Sequence, residues 1–164
     1  MAHLIGIASG KGGVGKTTMT INLAIALQKS GLTTLVLDAD LGLANAQLML
    51  GVKPTYTISD LLSGNLALDQ IELNCYAGVG LIPGASGKEA LTNLSTPTLL
   101  DLINLLKASP KQIVLLDTAA GISKQNMQLL QNYILPMACM YLQQLNIQYT
   151  LNQELQLHRE ELYF

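Results

Sequence analysis

Apolar residues along this chain fall into two patterns. Compact apolar runs occur at Leu4–Ala8, Thr34–Leu37, Val79–Ile82 and Ile113–Leu116. Runs of this length predict strands buried on both faces of a parallel sheet. Longer stretches with apolar residues at spaced positions predict helices. Lys16–Ser30 carries Met19, Ile21, Leu23, Ile25, Ala26 and Leu27 and closes on Lys29, Ser30 and Gly31, a good helix stop. Ala44–Leu50 reads as a short helix ended by Gly51. Thr57–Asp60 reads as a helix start with a carboxylate in its first turn, ended at Gly64. Thr96-Pro97 opens another helix, with apolar Leu99, Leu102, Ile103, Leu105 and Leu106. The opening order of strand, loop, helix and strand is a βαβ unit, whose crossover is right-handed.

The pattern changes after Ser123. Residues 125–164 hold twelve Gln or Asn and no glycine, and Pro136 is their only proline. Helical segments are predicted at Met127–Leu135 and Met140–Leu157, without βαβ logic. The chain is therefore read as an α/β core over residues 1–124 followed by an atypical helical tail over 125–164.

Composition narrows the function. The 164 residues suit one domain, and 49% hydrophobic content is enough for a sizeable core. A net charge of −2 argues against a general nucleic-acid binder. No apolar run approaches the ~18–20 residues of a membrane span, and no signal peptide opens the chain. Cys75 and Cys139 stand apart, which speaks against a disulfide framework or zinc site and for a reducing cytoplasm.

The chemistry concentrates at Gly10-Lys11-Gly12-Gly13-Val14-Gly15-Lys16-Thr17, which matches the phosphate-loop pattern G-x-x-x-x-G-K-[ST] between a strand and a helix. Glycines let successive N–H groups converge on one point, and the helix N-terminus adds its positive dipole end. Lys16 would supply charge to the outer phosphates and the Thr17 hydroxyl would ligate Mg²⁺. Asp38 and Asp40 end the second strand and Asp117 the fourth, the ends at which ligands bind in open parallel sheets. One aspartate there would read as a helix cap or turn residue; three beside a phosphate loop point to a magnesium–nucleotide site.

Lys11-Gly-Gly-Val-Gly-Lys-Thr-Thr18 resembles the deviant Walker A motif of the MinD/ParA family of dimeric P-loop ATPases. Asp38–Asn45 with Leu50-Gly51, Ile82–Gly87 and Asp117–Ser123 are similar to blocks of that family's flagellar-number regulators of the FlhG (FleN, YlxH) type. The resemblance covers about residues 3–123. It implies a P-loop NTPase-like parallel sheet flanked by helices, with ATP and Mg²⁺ held by Gly10 through Thr18. It implies that Lys11 reaches across an ATP-bound homodimer to the partner's nucleotide, unless it is simply a solvated loop lysine. Asp40 would orient the attacking water, Thr17, Asp38 and Asp117 would serve the magnesium, and Gly121 would sense the γ-phosphate. The implied output is control of flagellar number or placement, through a partner such as a flagellar GTPase or transcription regulator.

The family pattern is not legible after Ser123, so the chain is read as truncated or frame-shifted, with its sheet incomplete on the C-terminal side and the first strand left as an edge. The basic amphipathic C-terminal helix with which such ATPases grip membranes has no counterpart: residues 153–164 hold one Arg and three Glu. Neither membrane contact nor direct nucleic-acid binding is expected. Two alternatives stand beside the regulator: a non-hydrolysing remnant acting as an interaction module, and a division-site or partitioning ATPase. His3 and His158 read as surface or packing residues, and Cys75 and Cys139 as inert thiols.

Overall fold

The computed structural model describes residues 1–9, 12–39, 45–85, 94–118 and, as backbone, 135–138. Its strands are β1 (His3–Ala8), β2 (Thr34–Ala39), β3 (Leu73–Asn74), β4 (Gly80–Ile82), β5 (Ile113–Thr118) and β6 (Leu135–Ala138). They form one sheet in the order β3-β4-β2-β5-β1-β6. Every neighbouring pair is parallel except β3–β4. The helices are α1 (Lys16–Lys29), α2 (Asn45–Met49), α3 (Ile58–Leu62), α4 (Leu68–Ile71) and α5 (Thr96–Lys107).

Two apolar layers sandwich the sheet. Alternate strand residues Ile7, Val36, Leu81 and Leu115 pack with Ile21 and Ala24 of α1 and with Ala46 of α2. Leu4, Leu35, Leu37, Val114 and Leu116 point the other way, onto Leu99, Leu102, Ile103 and Leu106 of α5. This two-faced burial is why the central strands read as continuous apolar runs rather than as alternating ones.

Local chemistry sets the helix ends where the sequence placed them. After α1, Gly31 donates to the Gln28 carbonyl and Leu32 to that of Leu27, which satisfies two of the last carbonyls. At α3 the Thr57 hydroxyl accepts from the Ser59 N–H, while Asp60 Oδ2 accepts from the Thr57 N–H at 2.8 Å. Ser95 caps α5, and Pro97 sits in the first turn, where its missing N–H costs nothing.

Two features depart from the sequence reading. Helix α4, strand β3 and a 3-10 turn at Tyr76–Gly78 occupy a stretch that offered no clear pattern. The second departure is a correction. Leu135 begins strand β6 rather than ending a helix, and β6 pairs in parallel with β1 from Ile5↔Leu135 to Ala8↔Ala138. The edge of β1 is thus covered. Pro136 is compatible with this place because β6 is the outermost strand among the described residues, where one N–H is not needed by a further neighbour. The strand sits inside the unbroken apolar run Tyr133–Leu142, and a run without alternation does not tell strand from helix by period. The predicted helix at Met140–Leu157 lies outside the described residues.

Candidate phosphate and metal site

Strand β5 lies between β1 and β2. The strand that leads into the glycine loop therefore neighbours one acidic strand end, and that strand neighbours the other. Ile7 is the register partner of Asp117, and Asp117 is the register partner of Asp38. Register partners in a parallel sheet share a face, here the face that carries α1. Both carboxylates are 1% exposed.

Gly13 (φ +73°) and Gly15 (φ +90°) adopt the left-handed conformation that a side chain would strain, and α1 begins at the next residue, Lys16. Gly15 caps α1 without a side-chain hydrogen bond, and the first turn contains no acidic residue. Among the described residues no side chain caps this end of the fourteen-residue helix, where the dipole favours an anion. Lys16 is buried and Thr17 half-buried, while Gly12, Gly13, Gly15 and Thr18 are exposed. Lys16, Asp38 and Asp117 are all buried, and buried charges call for partners that water would otherwise supply.

Each aspartate already has a protein donor. Asp38 Oδ2 accepts from the Ala46 N–H at 3.2 Å, in the first turn of α2. The capping role weighed against a metal role is therefore one that Asp38 does perform. Asp117 Oδ1 lies 3.3 Å from the Thr20 hydroxyl. Thr118 donates to the Ile7 carbonyl at 2.8 Å, fastening the end of β5 to the strand before the loop.

Among the described residues, no group of three His, Cys, Asp or Glu side chains could hold a metal ion by itself. Magnesium is held by one or two carboxylates together with waters and substrate phosphates. Two buried carboxylates on one face, next to an anion-seeking helix end, are the donor set such an ion needs.

Of the residues singled out in the sequence, Gly12, Gly13, Val14, Gly15, Lys16, Thr17, Thr18, Asp38 and Asp117 fall at this end of the sheet. Gly10, Lys11, Asp40 and Gly121 lie outside the described residues. Sequence reasoning missed Thr20, Thr118, the Ala46 N–H and Gly84, whose Cα closely approaches Asp38. Thr118 and Gly84 lie within the blocks Asp117–Ser123 and Ile82–Gly87 without a role of their own there, and Thr20 showed only as a polar residue one helical turn after Lys16. Cys75 is a half-buried thiol whose pKa is raised by burial and, less, by the Glu72 carboxylate, in keeping with an inert group. No described helix is long and apolar enough to cross a membrane.

Comparison with known proteins gives the same picture. The profile of the CobQ/CobB/MinD/ParA nucleotide binding domain matches residues 5–146. That match runs past Ser123 and takes in β6. The antiactivator FleN of Pseudomonas aeruginosa is 40% identical over 122 residues, covering 73% of this chain and 44% of that protein. The flagellum site-determining protein YlxH of Helicobacter pylori is 42% identical over 120 residues, covering 72% of this chain and 41% of that protein. The chain thus spans less than half the length of these relatives. Among solved structures, the septum site-determining protein MinD of Pyrococcus horikoshii, complexed with Mg-ADP, superposes with a TM-score of 0.68 at 30% identity. That superposition covers 83% of this chain and 68% of that one.

Proposed function

The chain belongs to the CobQ/CobB/MinD/ParA nucleotide-binding domain family and is related to the flagellar regulators FleN and YlxH, and from that premise we propose that it binds Mg-ATP at residues 10–18 and acts as a nucleotide switch in flagellar number or placement. One observation carries the reading. The N-terminus of α1, without a side-chain cap and with Lys16 buried, lies on the sheet face that carries two buried aspartates in direct register.

In this reading the backbone N–H groups from Gly12 to Thr17 surround the phosphates, and Lys16 places its charge on the outer ones. Thr17, Asp38 and Asp117 hold the magnesium, which when bound neutralises charge on the phosphate oxygens. Asp40 orients a water for in-line attack on the terminal phosphorus, giving ADP and inorganic phosphate. The residues hold and orient; positioning and charge neutralisation account for most of the rate. Lys11 reaches the nucleotide of a second copy, so that ATP favours a dimer and ADP a monomer. The partner that reads the dimer is a flagellar GTPase or transcription regulator. FleN's description as an antiactivator and YlxH's as site-determining support this output.

Titration calorimetry with ATP and magnesium tests the binding step. Lys16→Ala is expected to abolish binding, and Asp40→Ala to retain binding while losing turnover. Unchanged turnover in both variants would refute the assigned roles. Size-exclusion chromatography separates the switch from a non-hydrolysing interaction module: the switch forms an ATP-dependent dimer, and the module's association is insensitive to ATP.

A further inference from the structure

We propose that Thr20 is a positioning residue for the magnesium site, its hydroxyl setting the orientation of the Asp117 carboxylate. The inference rests on the nucleotide reading above and adds a residue outside the phosphate-loop pattern.

Thr20 is fully buried, one turn beyond Lys16 on α1. Its Oγ1 lies 2.9 Å from the Lys16 carbonyl oxygen and 3.3 Å from Asp117 Oδ1, ninety-seven residues away in the chain. A hydroxyl has one proton to donate, so these two acceptors compete for it. The competition is unequal in consequence. The Lys16 carbonyl is the regular acceptor of the backbone N–H four residues on, so the helix does not depend on the hydroxyl. A buried carboxylate gains much more from a hydroxyl donor than a neutral carbonyl does. Nothing in helix formation favours threonine here, since a β-branched residue loses rotamer freedom against the preceding turn. The hydroxyl is best accounted for by what it faces.

The contact also joins the two halves of the site. Thr20 shares a helix with Lys16 and Thr17, and Asp117 ends the central strand. Holding Oδ1 fixes the rotation of the carboxylate about Cβ–Cγ, and so the direction in which Asp117 presents its other oxygen. With the hydroxyl gone, this restraint on the carboxylate is lost and more of its ordering falls to the ion. Magnesium binding then weakens, while metal-free phosphate binding by the loop is unaffected.

ATP affinity, measured by calorimetry with and without magnesium, tests this in wild type, Thr20→Val and Thr20→Ser. Thr20→Val keeps the shape and removes the hydroxyl; Thr20→Ser keeps the hydroxyl. Metal-free affinity is expected to be the same in all three. The tightening produced by magnesium should fall about tenfold or more in Thr20→Val, the scale of a lost hydrogen bond to a charged group, and persist in Thr20→Ser. Thr20→Ala replaces Thr20→Val if the latter fails to fold by circular dichroism. Full magnesium tightening in the hydroxyl-free variant, or equal loss in Thr20→Ser, overturns the inference alone. A wild-type chain that binds no ATP overturns the nucleotide reading, and this inference with it.

Discussion

Asp38 and Asp117 are direct register partners on adjacent parallel strands, both 1% exposed and both on the face covered by α1. Two carboxylates brought together out of water repel each other, and a shared cation converts that repulsion into affinity. The pairing follows from topology: β5 inserts between β1 and β2, so strand ends 79 residues apart in sequence become neighbours.

Asp38→Asn and Asp117→Asn test the shared-cation role. Each substitution keeps an oxygen acceptor, for the Ala46 N–H in one case and the Thr20 hydroxyl in the other. Each removes one negative charge. Both variants should fold and bind metal-free ATP, and each should lose most of the extra thermal stabilisation that magnesium adds to ATP. That increment follows ligand affinity and concentration directly, so a melting curve reads it. Either variant matching wild type in the increment would exclude its aspartate from the metal site.

The core of this arrangement was legible in the sequence because backbone chemistry dictated it. The phosphate loop needs Gly13 and Gly15 at positive φ, a strand before and a helix after, and all of these are readable from residue types and spacing. Asp38 and Asp117 were legible because they end strands that apolar runs define. The partners that restrain them were not. The Ala46 N–H is a backbone group with no residue-type signal, and Thr20 meets Asp117 only through tertiary packing. Strand β6 escaped for a different reason: it lies inside a longer apolar run, Tyr133–Leu142, whose lack of alternation does not tell a strand from a helix.

Gly84 packs against the acidic strand end closely enough to make its identity testable. A Cβ there would lie 2.9 Å from the Asp38 carbonyl oxygen and 3.3 Å from its Cγ. Backbone cannot rotate away from such a clash, so Gly84→Ala must displace the end of β2 or the loop after β4. The expected cost is about 1–3 kcal/mol, the usual range for overpacking. Urea denaturation would measure it, and magnesium-dependent ATP binding should weaken in parallel. A variant as stable as wild type would mean that the loop after β4 yields without cost.

Helix α3 offers a test of the fold that leaves the site alone. Its N-terminus is held by reciprocal bonds between Thr57 and Asp60, and Ile58 just inside is fully buried in the α5-side core. Thr57→Ala removes the hydroxyl that the Ser59 N–H donates to. The loss should be about 1 kcal/mol. Denaturant midpoints should shift while ATP affinity stays at the wild-type value, because α3 packs on the opposite face from α1.

Cys75 supplies a pH-dependent prediction. Its thiol pKa is raised first by burial and then by the nearby Glu72 carboxylate, whose oxygen also pairs with Lys111 at 2.6 Å. A raised folded-state pKa means that the fold favours the neutral thiol over the thiolate. The associated stability is fully present below the unfolded thiol's pKa and is lost as pH rises from there through the folded value. Neutral and mildly alkaline conditions should therefore leave Cys75 slow to alkylate, since only the thiolate attacks. Glu72→Gln removes the smaller of the two causes, so the alkylation rate at pH 8.5 should increase and still remain below that of the urea-unfolded chain. Lys111→Ala should act in the opposite direction, because Glu72 then faces Cys75 with its charge uncompensated. Labelling rates, with Cys75 resolved from Cys139 by peptide mass spectrometry, check both signs. A faster rate in Lys111→Ala would contradict the electrostatic account and leave burial as the sole cause.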